Sequence, residues 1–106
     1  MKNVYIVNKG CHDYTDAERF GNLIFLTAGS FNILSTSKMY RKFSEGLKNS
    51  QPSDYIMPSG LSIMNAIACS IFSVMHGRLN LLIYYTKNGQ GKGAYRERSI
   101  TFNLEG

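Results

Sequence analysis

The sequence predicts an α/β fold: one small domain with a partly parallel sheet, helices packed on that sheet, and an antiparallel C-terminal hairpin. Three observations lead there. Strand-like runs near the start, Val4 to Val7 and Asn22-Leu-Ile-Phe-Leu-Thr27, are almost wholly apolar instead of alternating, as strands buried on both faces are. Helix-period segments alternate with the strands, the order of a sheet built through crossovers. The last third holds two strand-like runs separated by a glycine-rich loop, which marks a hairpin. At 106 residues the chain has room for one core, so residues 1–106 read as a single domain in two or three layers.

After the first strand, Asp16 to Phe20 predict a short helical piece. Thr15-Asp-Ala-Glu18 matches a capping box, with Thr15 capping and Glu18 reaching back. After the second strand, Met39, Tyr40, Phe43 and Leu47 recur at helical spacing while Lys38, Arg41, Lys42 and Glu45 point away. Ser35, Thr36 and Ser37 offer N-caps for that helix, and Pro52 lies in the polar linker that ends it. Asp54-Tyr-Ile-Met57 is a third strand, stopped by Pro58. Ser59-Gly-Leu-Ser62 then launches a long apolar helix that ends near His76 and Gly77. Its polar members, Ser62, Asn65, Cys69, Ser73 and His76, form one narrow stripe, expected as a satisfied polar seam. Leu79 to Thr86 make a fourth strand and Tyr95 to Leu104 return, with Arg96, Arg98, Ile100 and Phe102 on one face.

The formal charge of +5 is unevenly placed. One basic cluster comprises Lys38, Arg41, Lys42 and Lys48, and a second Arg78, Lys87, Lys92, Arg96 and Arg98. Such patches suit an anionic partner or a solubilising face. Cys11 and Cys69 lie far apart without paired spacing, so a reduced, intracellular chain is expected rather than a disulfide framework. MKNVYIVNKG reads as a strand and not as a signal peptide, and residues 61–75 are too short to span a bilayer. No membrane association is expected.

Each of the first three strands runs into a polar, glycine-bearing segment: Asn8-Lys-Gly-Cys-His-Asp-Tyr, Thr27-Ala-Gly-Ser-Phe-Asn and Pro58-Ser-Gly-Leu-Ser-Ile-Met-Asn. If the strands are parallel, all three meet at the carboxyl edge, where open α/β sheets bind ligands. The expected ligand-binding residues are Lys9, His12, Asp13, Tyr14, Ser59, Gly60, Ser62 and Asn65. Backbone amides would hold a phosphate, Lys9 would neutralise it, and Tyr14 would stack on a base. The expected partner is therefore an anionic, nucleotide-like small molecule. His12 is the candidate catalytic acid/base. No metal or cofactor is expected, because Cys11, His12, Cys69 and His76 are poorly spaced as ligands. Gly89-Gln-Gly-Lys-Gly93 is a phosphate cradle in composition only, and reads as a basic hairpin tip. The mixture of Tyr84, Tyr85 and Tyr95 with Arg78, Arg96 and Arg98 has the composition of a nucleic-acid face, without an RNP-type motif.

VYIVNKG followed by CHDYTDAERFG, together with DYIMPSG and HGRLNLLIYY, resembles a group of small phage-encoded α/β proteins. That resemblance implies synthesis in a bacterial host cytoplasm, often to blunt a host defence system. A second likeness is to the small dimeric viral ring nucleases that destroy cyclic oligoadenylate signals in type III CRISPR defence. They too begin with a strand of the VYIVN kind and set a polar turn before a core helix. Their turn carries a catalytic histidine, whereas Ser59-Gly-Leu-Ser62 carries none, so the likeness implies sequestration unless His12 serves from another loop. A homodimer with a site shared across its two-fold axis, or a host defence protein as partner, completes the expectations.

Overall fold

The computed structural model describes residues 1–89 and 91–102. Five strands, β1 (Asn3–Ile6), β2 (Asn22–Phe25), β3 (Tyr55–Met57), β4 (Arg78–Tyr85) and β5 (Ala94–Thr101), form one sheet in the order β2-β1-β3-β4-β5. The first four run parallel and β5 pairs antiparallel with β4, so the expected mixed sheet and hairpin are both present. Two helices, α1 (Thr36–Leu47) and α2 (Ser62–His76), make the crossovers, and a 3₁₀ helix (Thr15–Arg19) joins β1 to β2. The expected extension of the last strand to Leu104 lies partly outside the described residues, as does Gln90 in the hairpin loop.

Strand alternation divides the sheet into two apolar faces. Tyr5, Val7 and Ile56 point to one side, where Met39, Phe43 and Leu47 of α1 and Met64, Ala68 and Phe72 of α2 close over them. Both α-helices thus pack on the same face. Val4, Ile6, Tyr55, Met57 and Leu82 point to the other, where Tyr14, Ala17 and Phe20 around the 3₁₀ helix pack against them. The continuous hydrophobicity of the first run anticipated the burial of β1 on both sides. The same reading does not hold for β2, which is the edge of the sheet and is half-exposed with Phe25 open to solvent, because no strand lies beyond it.

Local chemistry departs from expectation at the 3₁₀ helix. Thr15 is not its cap; Asp13 Oδ1 instead accepts both the Thr15 N–H, at 2.9 Å, and the Thr15 hydroxyl. Five residues give a tight 3₁₀ turn in place of an α-helix, and an Asx turn one residue earlier satisfies its first donor. On α2, the polar stripe is anchored at both ends. Asn65 accepts the Ser59 N–H at 2.8 Å, and His76 Nε2 lies 2.8 Å from Ser50 Oγ. Because the Ser50 hydroxyl donates to Leu47 O, the His76 ring is the donor in that pair. Among the described residues no helix is long and apolar enough to cross a membrane.

Candidate functional site

The three loops at the carboxyl edge are tied together by Asn8. Its backbone N–H donates to Ser59 Oγ at 2.9 Å and its carbonyl accepts the same hydroxyl at 2.8 Å, locking the first loop to the third. Its side-chain amide donates to Gly29 O at 3.0 Å, and its Oδ1 lies 2.9 Å from the Thr27 hydroxyl, which also donates to Val7 O. The second loop is held the same way by Lys9 N–H donating to Thr27 O at 2.8 Å. Gly60 lets the first and third loops approach. Its φ of +81° is a left-handed conformation, and a Cβ there would lie 2.8 Å from Asn8 Cβ.

On the face away from the helices, these loops and the end of the β4–β5 hairpin enclose a cleft of about 510 Å³. His12, Asp13 and Tyr14 form one wall, Pro58, Ser59 and Gly60 the next, and Tyr84 and Tyr95 the third, above Met57 and Leu82. The aromatic rings are fixed by packing. Tyr84 and Tyr95 meet edge to face at 5.2 Å, and Tyr14 stands edge-on to Phe25 at 5.4 Å. The Tyr14 hydroxyl accepts the Gly10 N–H at 2.8 Å, and that of Tyr84 accepts the Gly93 N–H at 3.0 Å. Gly93 has no alternative, since a Cβ would come within 2.7 Å of Tyr84 Cζ.

The 3₁₀ helix secures the hairpin wall. Asp16 Oδ2 accepts the Tyr95 N–H at 2.7 Å while Arg19 donates to Tyr95 O, and Arg19 Nε pairs with Asp16 Oδ1 at 3.2 Å. The Tyr95 amide bond, with help from Arg19, holds the Asp16 carboxyl below its usual range. Asp13 is likewise lowered by its bonds to Thr15, so the cleft carries one committed negative charge at its lip, with Lys92 close enough to favour it. Burial pushes the Tyr95 hydroxyl up, keeping that wall neutral. A smaller recess of about 180 Å³ at the amino edge is lined by Lys2, Arg78 and Glu97. There the Tyr55 hydroxyl donates to Glu97 Oε2 at 2.7 Å, and its pKa is pushed up to about 12, first by burial and then by that carboxylate.

Of the residues expected to contact a ligand, the cleft brings together His12, Asp13, Tyr14, Ser59 and Gly60. Lys9, Ser62 and Asn65 stand outside its lining. Lys9 pairs as a bridge with Ala28 and lays its ammonium 5.1 Å over the Phe25 ring, while Asn65 holds the Pro58–Gly60 turn from behind. Tyr14 is buried, so its ring braces the wall more than it offers a free stacking face. His12 is exposed and its neighbour Asp13 is turned to Thr15. Sequence reasoning missed Tyr84 and Tyr95 as cleft walls, although it had singled out both for their setting among arginines. Cys11 is exposed and Cys69 half-buried, and among the described residues no three metal-binding side chains cluster.

A mixed α/β sheet carries three interlocked loops over a tyrosine-walled cleft with the Asp13 carboxylate at its lip, a small α/β domain without a P-loop or dinucleotide fingerprint. The chain belongs to the phage Pam3 gp32-like protein family, whose model matches residues 2–100, and is thus a small phage protein. No curated protein and no solved structure matches it.

Proposed function

We propose that this phage protein binds and sequesters a nucleotide-like or otherwise phosphorylated signalling molecule in the carboxyl-edge cleft, acting in the host cytoplasm to counter a defence system. The observation that carries the reading is the cleft itself. It has the size of a small-molecule site, an apolar floor of Met57 and Leu82, and polar groups confined to the rim. Tyr84 and Tyr95 supply the faces for a base, and the Gly60 amide at the amino end of α2 is the donor offered to phosphate, the Ser59 N–H being taken by Asn65. Asp13 suits sugar hydroxyls and disfavours a phosphate at its own end of the cleft, which orients the ligand with its anionic end toward Ser59. The likeness to ring nucleases adds a cyclic oligonucleotide to the candidates.

An enzyme using His12 as acid/base occupies the same cleft. Asp13 spends its Oδ1 on Thr15, so it does not orient the His12 ring through that oxygen, which favours binding over cleavage. Incubation with cyclic di- and oligonucleotides, followed by heat denaturation and mass spectrometry, separates the readings. Intact ligand recovered from the protein, with a raised melting temperature that Tyr84→Ala abolishes, is the expected result. Product formation lost in His12→Ala would establish the enzyme. No shift across the panel and no co-purifying anion would end both readings and leave a protein-binding inhibitor of a host defence complex.

A further inference from the structure

On its helix-bearing side, the β4–β5 hairpin leaves part of the sheet uncovered. The apolar cluster beneath α1 and α2 takes Leu79 and Leu81 from β4 but, among the described residues, none from β5. Alternation and register set Ile83, Tyr85, Arg96, Arg98 and Ile100 on that side, and Phe102 follows in step, its N–H donating to Gly77 O at 3.1 Å. Ile83, Tyr85, Ile100 and Phe102 are each between 43% and 50% exposed. Of the tyrosines and arginines that the sequence interleaves here, Tyr84, Tyr95 and Arg78 turn to the other face, while Tyr85, Arg96 and Arg98 share this one. The surface is cationic. Glu97, the one carboxylate on β4 and β5, points away and accepts the Tyr55 hydroxyl at 2.7 Å. Arg96 holds its guanidinium 5.3 Å from the centre of the Tyr85 ring, and Arg98 is steadied by Nη1 donating to Glu97 O at 2.7 Å. Among the described residues neither arginine pairs with a carboxylate.

We propose that this face binds single-stranded nucleic acid, with phosphates on Arg96 and Arg98 and unpaired bases against the Tyr85 and Phe102 rings. Charge complementarity selects a polyanion, and the half-exposed rings select one whose bases are free to stack. Alternate residues of a strand lie about 7 Å apart, a spacing that an extended nucleotide chain can follow along β5. A duplex fits less well. Because β4 is paired with β3 as well as with β5, the hairpin is not a free two-stranded ribbon that could enter a major groove, and paired bases keep their faces from the rings. An acidic peptide would satisfy the arginines and leave the rings unmatched. The cleft opens on the opposite face of the sheet, so this surface does not depend on the proposed ligand.

Fluorescence anisotropy of labelled oligothymidylate and oligouridylate, about 12 nucleotides long, is expected to show micromolar binding to the full chain in about 50 mM salt, weakening as salt is raised. Tyr85→Leu keeps the apolar bulk and removes the ring. It should weaken binding about tenfold with the salt dependence unchanged. Arg96→Gln should weaken binding and reduce the slope of log affinity against log salt by about 0.7. Arg41→Gln removes the same charge from the exposed side of α1 and should change neither. Should Tyr85→Leu fail to melt cooperatively, Phe102→Leu carries the same test. Ultraviolet cross-linking should map to peptides of β4 and β5. Equal affinity for a duplex or for polyglutamate, oligonucleotide binding indifferent to both ring variants, cross-links confined to α1, or no binding at about 100 μM protein would overturn the proposal.

Discussion

On one face of the sheet, Phe43 and Phe72 are fully enclosed with Met39, Leu47 and Met64 beneath two α-helices. On the other, a five-residue 3₁₀ helix buries Ala17 and stops short of the β3 and β4 ends, where Met57 and Leu82 floor an open cleft. The same strands supply both faces. What differs is the length of the connection laid over them, and the difference separates a sealed core from an open cleft. A twelve-residue or fifteen-residue helix can seal a core, whereas a single 3₁₀ turn covers one end of a sheet and leaves space at the other.

Truncation at matched positions should break this comparison if it is wrong. Phe72→Ala opens a cavity that nothing can fill and should cost about 3–5 kcal/mol in chemical denaturation. Leu82→Ala, whose side chain borders the cleft, should cost about 2 kcal/mol, at the low end for such a change, because solvent and the tyrosines can relax into the space. Equal losses would mean that the cleft face is as tightly closed as the helix face.

The next effect sharpens the role of the loop junction. Gly60→Ala meets both a left-handed backbone and the Asn8 side chain, and should cost about 1–3 kcal/mol. It should also weaken any ligand of the cleft by displacing Ser59, which the remote Phe72→Ala should not do at temperatures where the variant is folded.

The smallest effect concerns the amino edge of the same face. Burial and the Glu97 carboxylate push the Tyr55 hydroxyl in the folded chain up to about 12 from its ordinary value of 10.0. Between those values the unfolded chain releases a proton that the folded chain keeps. Its contribution is therefore complete below pH 10 and is lost as pH rises toward 12. Melting temperatures of Tyr55→Phe should fall less steeply across that window than those of the native chain.

Much of this plan was legible in the residues. The apolar runs around Val4 and Leu23 read as strands, of which the first is buried and the second forms the half-exposed edge, while Pro58 stops β3 and Gly77 caps α2. The convergence of loops at the carboxyl edge followed from the parallel order, which brought His12 and Ser59 to one cleft across 47 positions of sequence. Lys9 illustrates what such reasoning lacks. It was placed beside the ligand by proximity to His12, yet its strand-like pairing with Ala28 turns it toward Phe25. The capping motif at Thr15 failed for a similar reason: the four-residue pattern was present, but Asp13 competed for the same donor and the segment closed as a 3₁₀ turn.

The amino-acid sequence alone determined the order of elements, the runs that form strands, and the loops that would converge. Those properties depend on periodicity, proline and glycine, which act within a few residues. Only the tertiary structure decided which face the short helix covers, that Tyr84 and Tyr95 wall the cleft, and which atoms Asn8 and Asp16 engage. Those choices depend on contacts between residues far apart in the chain, and many side-chain pairings are compatible with the same local pattern until packing selects one.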